Sequence, residues 1–245
     1  MVKSFHFSCV PSIYFKPGKL EDLPSFIKNY GTTIALVTGK DSFNRSPFAL
    51  KLFEGLDITG IDHIRIIVSG EPSPAVIDQA TGKINEHAVD AVVAIGGGSV
   101  LDAGKAVSAM YRIPGSVKEY LEGVGSKTHP GTKLPFIAVP ATSGTGSEAT
   151  NNSVISEIGV NGFKRSLRHP NFIPNIALVD PELTLSCPPE ITAASGMDCF
   201  SQLIEAFLSD KSGKFTDSLS LEGLKEVKSS LKAAFLNSDD INARS

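Results

Sequence analysis

The stretch Ala91-Val-Val-Ala-Ile95, running directly into Gly96-Gly97-Gly98-Ser99 and on through Asp102 to Lys105, constrains the fold most. A wholly apolar, β-branched run reads as a strand covered on both faces. Three successive glycines remove every Cβ where the backbone must turn sharply, and a helical pattern follows at once. Four more candidate strands, mostly apolar, lie at Ile34 to Thr38, Ile64 to Val68, Pro135 to Val139 and Ile176 to Asp180. Between the second and third strands, Val76, Ile77, Ala80, Ile84 and Ala88 recur at helical spacing. Short buried strands alternating with helices predict an α/β chain with a parallel sheet and crossover helices.

Two regions depart from that rhythm. Asn152 to Leu167 carries two polar-apolar runs around Asn161-Gly162, a dipeptide suited to the positive φ angles of a tight turn, and predicts a hairpin. After Asp180-Pro181 the strand signals stop. Two amphipathic helices follow, with Met197, Phe200, Ile204 and Phe207 as the stripe of one and Leu224, Val227, Leu231 and Phe235 as that of the next. Residues 1–183 are therefore expected to form the α/β domain, and 184–245 an all-helical domain that is incomplete, because two helices do not close a core.

Charge and cysteine content narrow the partners. With 23 basic against 26 acidic residues and no long run of either sign, nothing recommends nucleic acid or an anionic membrane surface. The three cysteines are widely spaced without a CxxC pair, and the N-terminus lacks an apolar signal segment. No run is long enough to span a bilayer. A soluble cytoplasmic protein is the expectation.

Three segments carry chemistry. At Gly96 to Lys105, a helix start offers unpaired N–H groups and a positive dipole end to an anion such as a pyrophosphate. Ser99 and Asp102 are also spaced like a capping box, which would make the glycines a plain tight turn. The pattern is not GxGxxG. Pro140-Ala-Thr142-Ser143-Gly144-Thr145-Gly146-Ser147-Glu148 is a donor-rich loop directly after a buried strand, able to close over a phosphate or a nicotinamide ring, or simply polar. Two such loops at the C-terminal ends of strands in one sheet fall where open α/β sheets bind ligands. In the third, Asp198, Gln202 and Glu205 stand at i, i+4 and i+7 on one helix face, either converging on a cation or forming a solvated face.

Together with Glu71-Pro72-Ser73-Pro74, Lys164, the strand exit from Asn175 to Pro181 and Gly196-Met197-Asp198, these segments resemble the iron-containing (group III) alcohol dehydrogenase family over essentially the whole chain. The resemblance implies a Rossmann-like nucleotide-binding domain, a helical metal and substrate domain, and hydride transfer between NAD(P) and a small alcohol or aldehyde. It also implies a metal, iron or zinc, that polarises the substrate oxygen. Carried over by position, Gly97, Gly98, Ser99 and Asp102 belong to the pyrophosphate loop. Thr142, Thr145 and Ser147 would contact the phosphates and nicotinamide half, Lys164 would reach a ribose, and Leu178 would line the pocket. Asp198 is the implied first metal ligand, with Gln202 as the second. A homodimer through N-terminal strands near Phe5 to Phe15 is implied as well.

Three departures qualify this. The acidic residue that many NAD-preferring members carry after the first strand is replaced by Gly39-Lys40, which removes a group that would repel a 2′-phosphate and favours NADP over NAD. Gln202 stands where the family usually has histidine, and an amide oxygen is the weaker ligand. The two further histidine ligands of the family lie beyond Ser245, so the sequence reads as the first two-thirds of a family member. Polyol phosphate dehydrogenases and dehydroquinate-synthase-like enzymes share the architecture, and a non-catalytic nucleotide-binding module is the alternative of another class.

Overall fold

The computed structural model describes residue 6 and residues 8–245. Its chain forms two compact units, one made of Val10–Pro140 and Ser147–Asp180, the other including Ala141–Gly146 and Pro181–Ser245.

In the first unit the elements run β1 (Ser12–Phe15), α1 (Leu23–Lys28), β2 (Thr33–Gly39), α2 (Pro47–Ile58), β3 (Asp62–Val68), α3 (Pro74–Asn85), β4 (Ala91–Gly96), α4 (Gly98–Met110) and β5 (Phe136–Pro140). The hairpin β6 (Asn152–Glu157) and β7 (Phe163–Arg168) follows, then β8 (Ile176–Val179). Six strands make one sheet in the order β1-β8-β5-β4-β2-β3, every neighbour parallel. The central strands β4 and β5 are buried at every residue, which is what their unbroken apolar runs require. Ten of the thirteen residues of α4 are buried. It lies so close to the sheet that a Cβ on Gly104 would stand 2.6 Å from Ala94 Cβ and 3.0 Å from the Phe136 ring. Helices α2 and α3 both begin with a serine whose hydroxyl accepts a backbone N–H, followed by proline in the first turn, so Ser46-Pro47 and Ser73-Pro74 are helix-start signals.

The order of the strands locates the ligand edge. From β2 the chain steps outward to β3 and then returns to place β4 on the other side of β2, so the winding direction reverses between β2 and β4. At such a reversal the two flanking loops part, leaving a crevice at the C-terminal strand ends. Gly39 ends β2 and Gly96 ends β4 there.

The hairpin forms as a two-stranded antiparallel sheet, but its turn differs from the expectation. Glu157 pairs with Phe163, leaving a five-residue connection in which Gly159, at φ 144°, takes the positive angle, while Asn161 does not. The edge strand expected from Phe5 onward is seen at Ser12–Phe15; Phe5 and Phe7 lie outside the described residues.

The second unit contains α5 (Pro189–Leu208), α6 (Lys214–Leu236) and the short α7 (Ile241–Arg244). The two long helices meet through glycine: a Cβ on Gly196 would stand 2.3 Å from Leu231, and one on Gly223 would stand 2.9 Å from Leu203. Their apolar stripes are not a closed core. Met197 is 51% exposed, Phe207 37% and Phe235 42%, because a pair of helices buries only the seam between them. No described helix is long and apolar enough to cross a membrane.

Candidate functional site

The crevice at the ends of β2 and β4 is built almost entirely from backbone. Thr38 pairs with Ile95 and Gly96 with Pro140, so Gly39, Gly96 and Pro140 end adjacent strands side by side. Gly96 has no room for a side chain: a Cβ would stand 2.8 Å from Val100, one turn into α4. Gly97 is the N-cap of α4 and no side chain caps it, which removes the capping-box reading of Ser99 and Asp102. The first N–H groups bonded into the helix are those of Val100 and Leu101, 2.9 Å and 3.1 Å from Gly97 O. Those of Gly98 and Ser99 precede them, at the positive end of a thirteen-residue helix. These residues fit the pyrophosphate of a dinucleotide: glycine backbone, two N–H donors and the Ser99 hydroxyl, with no carboxylate among them.

Asp102 and Ser147 are used differently from the sequence expectation. Asp102 Oδ1 accepts from Ser147 Oγ at 2.6 Å and Oδ2 accepts from the Val154 N–H at 3.1 Å, so both oxygens are committed inside the unit. Ser147 is 5% exposed. The Lys105 side chain, fully buried, donates to Ser147 O (2.7 Å), Ser147 Oγ (3.3 Å), Thr150 Oγ1 (3.0 Å) and Asn152 O (2.7 Å). Sequence reading passed over this residue; a lysine on the third turn of an otherwise apolar helix was the available signal. Burial pushes the Lys105 ammonium down to about 8 against the opposing attraction of Asp102 and Glu148. It pushes Asp102 and Glu148 up. α4 thus presents its first turn to the crevice and uses its second and third to hold residues 147–154.

Lys164 and Leu178 have these surroundings. Lys164 Nζ lies 2.6 Å from Glu71 Oε1 in an exposed pair, and Ser156 Oγ donates to Glu71 Oε2 at 2.5 Å. These bonds hold Glu71 below the usual carboxylate range. The Glu71-Pro72 segment is thereby tied to the hairpin, since the Ser156 N–H also donates to Pro72 O at 2.9 Å. Leu178 is fully buried in β8 and belongs to the core. Lys40 is exposed just beyond Gly39.

In the second unit, Thr142 and Thr145 sit on the loop Ala141–Gly146, which packs against α5: a Cβ on Gly144 would stand 2.2 Å from Ser195 O. Asp198, Gln202 and Glu205 are exposed on α5. Gln202 Nε2 donates to Asp198 Oδ2 at 2.8 Å and approaches Gly144 O at 3.5 Å. Its amide therefore turns its nitrogen, which has no lone pair to give, toward the carboxylate. No group of three or more His, Cys, Asp or Glu suited to a metal occurs among the described residues. A partly open pocket of about 260 Å³ in this unit is walled by Ser143, Cys187, Ser195, Cys199 and Leu231 among others, not by Asp198 or Gln202. Asp198 and Gln202 by themselves supply fewer than the three or four nitrogen, sulfur or oxygen ligands that a transition-metal site takes.

The sequence profile of iron-containing alcohol dehydrogenases matches residues 11–181. The probable alcohol dehydrogenase EutG of Escherichia coli is 33% identical over 239 residues, covering 97% of this chain and 60% of that protein. The NADPH-dependent butanol dehydrogenase of Clostridium saccharobutylicum is 31% identical over 227 residues, 90% of this chain and 56% of that one. Sulfoacetaldehyde reductase from Bifidobacterium kashiwanohense, solved in complex with NAD+, superposes with a TM-score of 0.90 at 32% identity, over 99% of this chain and 64% of its own. The chain spans about half the length of the curated relatives it matches. With the profile, the sequence relatives and the fold in agreement, this chain belongs to the iron-containing alcohol dehydrogenase family.

Proposed function

We propose that this chain supplies the nucleotide-binding unit, and the first helices beyond it, of an NAD(P)H-dependent alcohol dehydrogenase or aldehyde reductase acting on a small substrate. The observation that carries the reading is the glycine-walled crevice at the strand-order reversal, with the bare N-terminus of α4 facing out of it. Bound nicotinamide supplies a hydride to an aldehyde carbon or takes one from an alcohol. Gly97, Gly98 and Ser99 hold the pyrophosphate, Thr142 and Thr145 serve the nicotinamide half, and Asp102, Lys105 and Ser147 position residues 147–154 rather than touching the cofactor. Asp198 and Gln202, joined by one hydrogen bond, would contribute part of a metal's ligand set, and a metal held there would polarise the substrate oxygen.

The cofactor is NADPH in preference to NADH. Gly39 contributes no carboxylate to compete for a ribose hydroxyl, and Lys40 follows it. Fluorescence titration with both nucleotides tests this. NADPH is expected to bind more tightly, and Gly39→Asp to weaken NADPH by at least about tenfold, since like charges at close range cost one to a few kcal/mol. A Cβ at this position meets the Ser42 hydroxyl at 3.1 Å and Val100 Cγ2 at 3.9 Å, so the variant should fold. Tighter NADH binding by the native chain would overturn the NADPH reading, and binding of neither would overturn the nucleotide site.

We further propose a cytoplasmic homodimer. Ile13, at 57% exposure, and Phe15, at 53%, stand on β1, which among the described residues is paired on one side only, and such an edge suits pairing with a second copy.

A further inference from the structure

We infer that Arg65 is a specificity-determining residue of the crevice, a cation for the 2′-phosphate of NADPH that also fixes the turn after β2; this rests on the NADPH reading above. Arg65 lies on β3 opposite Leu36 of β2, on the sheet face that carries Thr38. Its guanidinium lies over the Phe53 ring, 5.2 Å from the centroid, and reaches along the strand to Thr38 Oγ1 at 3.3 Å. Thr38 is the residue immediately before Gly39. The same Nη2 donates to Asn44 Oδ1 at 2.6 Å, and Asn44 Nδ2 donates to Lys40 O at 2.9 Å. A two-bond relay thus runs from β3 across the strand end to the backbone of Lys40.

The charge of that guanidinium is unanswered. Among the described residues Arg65 has no carboxylate partner; its side-chain bonds go to two neutral oxygens, and its Nε is buried with no acceptor. The nearby acid of the turn, Asp41, is paired with Arg45. A half-buried cation whose bonds go only to neutral oxygens keeps its charge uncompensated; with Nη2 committed to Thr38 and Asn44 and Nε buried, Nη1 is the nitrogen left to donate to a phosphate. The strand end beside it is where an α/β sheet reads the adenosine ribose. Stacking on Phe53 and the bonds to Thr38 and Asn44 hold the fork in one orientation before any ligand arrives, so little ordering is needed on binding.

The test compares the native chain with Arg65→Met, Arg65→Lys and Asn44→Ala, titrated with NADPH, NADH, 2′,5′-ADP and 5′-AMP, with thermal melts as the check on folding. Arg65→Met keeps an apolar stem over Phe53 and removes the charge. It is expected to weaken NADPH and 2′,5′-ADP by about tenfold or more, the range for a hydrogen bond to a charged group, while NADH and 5′-AMP change less than about twofold. Arg65→Lys should fall between, and Asn44→Ala should weaken the 2′-phosphorylated ligands by releasing the turn. Equal weakening of all four ligands would make Arg65 a structural strut and overturn the inference. So would unchanged NADPH binding in Arg65→Met, which would leave the NADPH preference itself standing. A native chain that favours NADH would instead fail at the first titration, overturning the cofactor reading and this inference with it.

Discussion

Replacing Lys105 with methionine isolates one buried charge and the loop it holds. Lys105 Nζ donates to two backbone carbonyls and the hydroxyls of Ser147 and Thr150, all in residues 147–152. Methionine keeps the apolar stem but leaves these acceptors without their donor, at about 1–3 kcal/mol for each one that stays dry. Against this, the variant is spared the desolvation of an ammonium whose pKa falls from 10.5 to about 8. A shift of that size is worth roughly 3 kcal/mol at 1.36 kcal/mol per unit. The folded chain releases its proton near 8 and the unfolded chain near 10.5, so between those values the unfolded state binds more protons and stability rises with pH. The contribution is complete above the unfolded value, and is lost as pH falls to the folded one. Urea unfolding of both proteins at pH 7.5 and 9.5 reads this, because titrating groups not coupled to Lys105 cancel in the difference. The native chain should gain about 2 kcal/mol on the variant over that interval. Parallel pH profiles would refute a depressed Lys105, and a variant as stable as the native chain at both values would refute its role as the anchor of residues 147–152.

Three further outcomes follow from single contacts. Gly144→Ala places a methyl 2.2 Å from Ser195 O, backbone against backbone, and should cost about 2 kcal/mol or more in thermal unfolding; a loss below about 0.5 kcal/mol would mean that loop and helix are not in that contact. His129 donates from Nε2 to Ala109 O (3.0 Å) and accepts the Gly131 N–H at Nδ1 (2.9 Å), so it is held neutral, and burial lowers its pKa. Its contribution is present above the ordinary histidine value and lost as pH falls through the lowered one; a His129→Gln variant should lack that acid-side loss in urea midpoints, and an identical profile would refute it. Gln202→His sets an imidazole one turn from Asp198 and should tighten Zn2+ by about tenfold or more in competition with a chromophoric chelator, whereas unchanged affinity would remove Asp198 as a ligand.

What the sequence announced and what it concealed divide along physical lines. β2, β4, β5 and β8 were legible because strands covered on both faces must be apolar at every position, and β3 because its Ile66 and Val68 face the core. β1 was legible only as an edge strand between Phe5 and Phe15; its pairing with β8 was not, because it spans more than 150 residues. The glycines of the crevice were legible because a missing Cβ is visible in a single letter. Asp102, Ser147 and Lys164 are bonded to residues remote in the sequence. A side chain's partner depends on contacts such as Asp102 to Val154 and Lys164 to Glu71, which no local spacing encodes. Arg65 and Asn44 escaped for the same reason, lying 21 positions apart and meeting only across a strand end.

The segment from Gly96 to Lys105 therefore does two jobs that its compact spelling hides. Its first four residues leave bare backbone and helix N–H groups at the crevice. Its last polar pair, Asp102 and Lys105, faces inward and builds the next part of the molecule, holding Ser147, Thr150, Asn152 and Val154. A ligand-binding loop gains from rigidity in proportion to the ordering it no longer requires on binding. A buried network of charge-assisted bonds gives that rigidity only while every member is satisfied. This is the physical reason a lysine and an aspartate stand in a helix otherwise lined with alanine, valine and leucine. They give residues 147–154 a fixed place relative to the glycine turn.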